Sequence, residues 1–311
     1  MNDIINQGLS STIRPAIRLK PLEGVRGLAA LYVTCSHAFP LGNTGWVGID
    51  VFFVLSGFVL MLPMALAGGT IRGGLGGYAW RRARRILPPY YAAIVFSLVV
   101  SRAPWRWDDL LAHVAMVHNL RDCWITSING SFWSLGFEWQ LYFLLPLVIL
   151  PIWRVLGSSG VCLACFGLAT VPEVVPFQHL LAAPASLFSL GVAAAGVVSG
   201  AEKPRVIALA SPALAFAPSC SLAWGHAVVG AAAAFAIVLV AREPDGAIGR
   251  ILSLPPLLWL GAISYSLYLT HFPLVPLLPT SLVIPTCLVV ASLFYMAFER
   301  PTLRIKNPRE A

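Results

Sequence analysis

Apolar residues run along this chain in blocks of roughly 15–23 positions, separated by short polar or Gly/Pro-rich interruptions. A helix crossing a bilayer needs about 20 mostly apolar residues. Ten blocks meet or approach that length: roughly 24–40, 46–67, 86–101, 134–156, 159–177, 180–199, 204–218, 222–242, 256–277 and 281–299. The stretch 107–119 does not fit, because it opens on Asp108 and Asp109 and carries His113 and His118. It is predicted as an amphipathic or re-entrant helix. The longest stretch without a span is 102–133.

Composition turns this pattern into a fold class. Of 311 residues, 58% are hydrophobic and 11% are charged, against about 25% charged in an ordinary soluble domain. That excludes a soluble enzyme, a disordered protein and a nucleic-acid binder. The net charge of +8 instead orients the chain and meets anionic lipid. Residues 1–20 lack the apolar core of a cleavable signal, so the first block is predicted to be retained. With the N-terminus inside, 18 of the 21 basic residues fall on the cytoplasmic side, and only Arg102, Arg106 and Arg121 fall outside. The expectation is an all-α polytopic membrane protein of about ten transmembrane helices with both termini cytoplasmic. It would be one membrane domain: residues 1–21 a cytoplasmic segment, 22–299 the bundle, 300–311 a tail. The cysteines lie mostly inside apolar blocks and read as small hydrophobes. Cys162 and Cys165 form a CxxC with no further ligands, so no metal is expected.

Ionisable groups at membrane depth are costly and mark function by default. The first span carries Arg26 and, about 16 Å further along the helix, His37. The second carries Asp50 near its outer end. In the fourth, Ser134, Glu138 and Tyr142 repeat every four residues and line one stripe. In the ninth, Ser264, Tyr268 and His271 lie on adjacent turns. Four ionisable groups from four spans therefore sit at similar depth, and a neutral histidine within reach of a carboxylate is a general-base pair. Packing does not ask for that coincidence, although interhelical hydrogen bonding could use some of these groups. At the inner face, WRRARRILPPYY sets Arg82 and Arg85 three residues apart. Arginine forks suit phosphate oxygens. A lipid-headgroup anchor is the competing reading of that charge cluster. A phosphate-friendly inner end and an acid–base outer end fit an enzyme that takes a charged cytoplasmic donor and modifies an outward-facing acceptor.

These segments, in order, resemble the acyltransferase 3 family of integral membrane acyltransferases. LEGVRGLAALYVTCSHAF matches the family's opening basic residue, ten residues and histidine, here Arg26 and His37. GIDVFFVLSGFVL, RRARRILPPYY with Arg82 and Arg85, SFWSLGFEWQLYFLLP with Glu138, GAISYSLYLTHFPL and the terminal FERP follow. The resemblance implies acyl transfer, usually of acetyl from acetyl-CoA, to a hydroxyl of a cell-surface or lipid-linked glycan at the bacterial cytoplasmic (inner) membrane. It implies no tightly bound cofactor, with acetyl-CoA as co-substrate. It also implies His37 as the essential residue and Arg82 and Arg85 as donor-handling residues; Glu138 is the expected catalytic partner of His37, and Arg26 a further donor-binding candidate. Asp50, Ser134, Tyr142, Tyr268 and His271 are supporting candidates. With the chain ending at Ala311, it looks like the short membrane-only members that decorate exopolysaccharides and lipopolysaccharides. The expected partners are acyl-CoA, a glycan or lipid-linked oligosaccharide, membrane lipid and polysaccharide-assembly proteins. The aromatic loop 102–133, with Trp105, Trp107 and Trp124, is a candidate for acceptor contact, with an interfacial aromatic belt as the favoured reading. Two other classes stay open at this point. One is a proton-coupled transporter or flippase without acyl chemistry, against which no internal repeat is visible. The other is a scaffold for polysaccharide assembly.

Overall fold

The computed structural model describes residues 19–39, 41, 44–102, 104–170, 178–205 and 223–304, and every regular element among them is helical. The principal helices are α1 (Lys20–Ala38), α2 (Trp46–Leu66), α3 (Gly74–Ser101), α4 (Trp107–Val114) and α5 (Trp133–Leu144). They continue with α6 (Leu150–Thr170), α7 (Gln178–Val198), α8 (Ala223–Arg242), α9 (Ala247–Leu252), α10 (Pro255–Leu274), α11 (Thr280–Phe294) and α12 (Arg300–Arg304). Among the described residues, five segments are long and apolar enough to cross a membrane: Trp46–Leu66, Gly74–Ser101, Trp133–Cys165, Gly225–Arg242 and Thr280–Leu303. The predicted span 204–218 lies almost wholly outside the described residues.

Three boundaries carry physical information. The third span was predicted from residue 86, but α3 begins at Gly74. Arg81, Arg82, Arg84 and Arg85 therefore sit on a helix, not in a connection. The predicted break between 156 and 159 falls at Gly157, whose φ of 64° and ψ of −170° interrupt the helix. Only glycine adopts that conformation readily. The carboxylate of Glu202 then accepts from the Ser158 N–H at 2.6 Å, capping the restart. Between α5 and α6 a π turn, Leu145–Ile149, contains Pro146. The proline has no N–H to give the preceding turn, and the wider turn absorbs the defect.

The bundle closes where small residues let backbones meet. α2 packs most extensively on α7 and α1 on α10. A Cβ at Gly57 would collide with the Phe188 carbonyl, and one at Gly191 with the Val54 carbonyl. Gly27 and Gly261 make the same kind of approach between α1 and α10. In lipid, where apolar tails compete with apolar side chains, such close contact is what holds helices together. The α1–α10 seam fixes the register that brings the C-terminal ends of these two parallel helices side by side. Outside the bundle, α4 is the short amphipathic helix expected. Asp109, Ala112 and His113 are buried, while Trp107 is 70% exposed.

Candidate active site

The α1–α10 seam places His37 against His271. Their Nδ1 and Nε2 atoms are 3.0 Å apart, and the rings stack with centroids 5.2 Å apart. His271 is fully buried. Its Nδ1 lies 2.9 Å from the Tyr268 carbonyl and 3.1 Å from the Leu267 carbonyl. Carbonyl oxygens only accept, so the His271 proton is on Nδ1 and its Nε2 is an acceptor. His37 must then donate through Nδ1–H. Its own Nε2, on a half-buried ring, is an acceptor with no hydrogen-bond partner among the described residues. This assignment follows from the hydrogen-bond network. It leaves the His37 ring oriented with Nε2 as its acceptor nitrogen.

The connection before α5 braces this pair. Asn129 Nδ2 donates to the Leu269 carbonyl at 3.1 Å and to Ser97 Oγ at 2.9 Å. Ser131 Oγ is thereby held 3.5 Å from His271 Nε2.

Below lies a descending polar column. Ser134 Oγ and Tyr268 Oη are 2.7 Å apart. One turn deeper on α5, Glu138 accepts from Tyr142 Oη at 2.5 Å and from Ser56 Oγ at 2.9 Å. Tyr142 in turn lies close to Arg82 and Arg85. The stripe Ser134–Glu138–Tyr142 thus runs from the histidine pair toward the arginines. The structure does not bring Glu138 to His37. The His37 partner is a second histidine, and Glu138 belongs to the layer between the two ends.

At the far end, the Arg82 guanidinium sits 5.9 Å above the Tyr78 ring, and its buried Nε has no hydrogen-bond partner among the described residues. Arg26 lies 3.8 Å from Glu23. It shares its surroundings with Glu299, which interacts electrostatically with Arg26 and Arg85 and accepts from Ser266 Oγ at 2.7 Å. Arg26, Arg82 and Arg85 therefore gather at the end of the bundle opposite His37. A buried donor without an acceptor is expensive. An incoming phosphate oxygen would satisfy it.

Asp50 does not join the His37 cluster. It is buried and accepts from His226 Nδ1 at 2.7 Å. Sequence reasoning missed His226 on α8, although the rule that selected His37, an ionisable group in an apolar span, applies equally to it. Ser56 was also missed, having no charge to mark it. Trp105 and Trp107 contact each other edge to face at 4.9 Å, and the Arg121 guanidinium lies 4.6 Å from the Trp124 ring centre. Cys162 is buried with its Sγ 3.8 Å from the Ser189 carbonyl. Among the described residues no group of side chains could hold a metal ion.

The family described as an acyltransferase domain matches residues 20–298. The chain belongs to this acyltransferase family. ExoZ of Rhizobium meliloti, an exopolysaccharide production protein, is 30% identical, covering 86% of this chain and 92% of ExoZ. BcsY of Komagataeibacter xylinus is 28% identical, over 85% of this chain and 75% of BcsY. The peptidoglycan O-acetyltransferase OatA of Listeria monocytogenes is 24% identical over 82% of this chain, which spans 49% of OatA. The chain therefore spans about half the length of some relatives and most of others. No solved structure matches it.

Proposed function

We propose that this chain is a membrane O-acyltransferase. It moves an acetyl group from acetyl-CoA to a hydroxyl of a cell-surface or lipid-linked glycan at the bacterial inner membrane. The full reading includes ten spans, cytoplasmic termini and a single membrane domain. The observation that carries it is the His37–His271 pair at one end of a polar column whose other end is the Arg26, Arg82 and Arg85 cluster.

The geometry fits the chemistry as follows. Arg82 and Arg85 hold the phosphates of CoA at the cytoplasmic end, with Arg26 beside them. The flexible pantetheine arm runs up the column past Tyr142 and Glu138 and presents the thioester near His37. A sugar hydroxyl is too weakly acidic to react unaided. His37 Nε2 removes its proton as the oxygen attacks the thioester carbonyl. One of the Tyr268 and Ser134 hydroxyls donates to the other, and the one whose O–H stays free donates to the developing oxyanion. The C–S bond breaks, the ester C–O bond forms, and the proton on His37 passes to the departing thiolate. His271 stays neutral throughout and holds the His37 ring in the reactive tautomer.

The test is free-thiol release from acetyl-CoA by the protein in lipid nanodiscs, with and without the host's glycan pool, for wild type and His37→Ala. Glycan-dependent release lost in the variant is expected. A wild type that neither binds nor consumes acetyl-CoA would overturn the proposal and favour a transporter.

A further inference from the structure

We propose that Trp46, His226 and Asp50 form a binding subsite for an uncharged sugar ring, placed beside His37 to hold the acceptor. This rests on the acyltransferase reading above. None of the polar column described so far uses this group. Asp50 is 3% exposed in an otherwise apolar helix, an expensive position for a carboxylate. Its hydrogen-bond partner is His226, 2.7 Å away. A carboxylate oxygen accepts, so His226 Nδ1 carries a proton, and in the neutral ring Nε2 is an acceptor with no partner among the described residues. The His226 side chain is 20% exposed, so the imidazole is reachable. Asp50 thus acts as a buried strut for a ring that points an acceptor out of the core.

The second component is aromatic. Trp46 lies one turn before Asp50 on the same face of α2, and its ring centroid is 4.6 Å from that of His226. Gly225 gives it room: a Cβ there would come within 2.8 Å of the indole. An indole plate beside a fixed imidazole acceptor suits a sugar. The C–H face of the ring covers the indole, and a hydroxyl donates to His226 Nε2. The carboxylate beneath opposes an anionic sugar. Location completes the argument. The preceding residue, Gly45, is so close to His37 that a Cβ on it would lie 3.8 Å from Nε2. A ring seated on Trp46 therefore has its hydroxyls next to the base. The exposed tryptophans of 102–133 have no such neighbours in the described residues.

The experiment measures acetylation in nanodiscs of a panel of methyl glycosides (glucoside, galactoside, mannoside), with methyl glucuronide as the anionic counterpart. Thiol release without sugar is followed in parallel. Trp46→Ala and His226→Ala should each raise the KM for the uncharged sugars by about tenfold or more, with the loss falling on KM rather than kcat. Trp46→Phe, which keeps a ring, should recover most of the loss. The glucuronide should be the poorest substrate. The subsite is refuted if both alanine variants keep the wild-type KM, if His226→Ala lowers only kcat, or if Phe is no better than Ala. A wild type that releases thiol but is stimulated by none of the uncharged glycosides also refutes it while leaving acyl transfer standing. A wild type that binds no acetyl-CoA removes the acyltransferase reading and the subsite with it.

Discussion

Replacing His271 tests the logic of the histidine pair most directly. The 3.0 Å bond to His37 Nδ1 is what leaves His37 Nε2 as the free base. In His271→Ala that donor loses its acceptor. A neutral hydrogen bond contributes about 0.5–1.5 kcal/mol, and an orphaned buried donor costs about 1–3 kcal/mol. At 1.36 kcal/mol per factor of ten, kcat should fall roughly 5- to 100-fold. His37→Ala removes the base itself and should fall roughly 10²- to 10⁴-fold. Because His271 acts only through His37, the double variant should be no slower than His37→Ala alone. His271→Gln places an amide oxygen near the lost Nε2 and should recover part of the rate. The assay is single-turnover acetyl transfer in nanodiscs. Two independent losses that multiply in the double variant, or a glutamine variant no better than alanine, would refute the tautomer argument.

Three further outcomes follow from other parts of the structure. Arg82→Lys keeps the charge but loses the planar fork and the unsatisfied Nε. The apparent affinity for acetyl-CoA should drop about tenfold, and wild-type affinity in the lysine variant would mean a lipid anchor only. Outside the spans, the rings of His113 and His118 stack 4.2 Å apart, and burial lowers each pKa to about 4. The unfolded chain binds more protons between about pH 6.5 and pH 4. Stability of this segment is therefore greatest above pH 6.5 and falls on acidification, by up to about 3 kcal/mol per histidine. Asp109, which burial pushes upward, offsets part of that loss. Hydrogen exchange of 107–132 should accelerate from pH 7 to pH 4 after correction for the intrinsic rate, and unchanged protection would contradict it. Gly191→Val drives a side chain into the Val54 backbone and should destabilise the α2–α7 contact by about 1–3 kcal/mol. An unchanged melting temperature in detergent would refute the close approach.

The helices and much of the chemistry were legible in one dimension because each depends on local order. Apolar block length sets a span, glycine at 157 sets a break, and four-residue spacing puts Ser134, Glu138 and Tyr142 on one stripe. The Arg26–His37 spacing likewise follows from helix rise alone. Pairing across helices was not legible. Glu138 was expected beside His37 because both are ionisable and near the same depth. Depth is one coordinate, however, and the rotation of α5 turns Glu138 toward Ser56 on α2. His271 took the place beside His37 because Gly27 and Gly261 let α1 and α10 approach in register. Asp50 found His226, which lies 176 positions later in the chain and which no local pattern connects to it. Sequence alone thus determined a membrane-embedded helical bundle with an arginine end and a histidine end. Only the tertiary structure decided which histidine meets His37 and that Asp50 pairs with His226. Those answers depend on helix rotation and close backbone contact, which no residue spacing within one helix encodes.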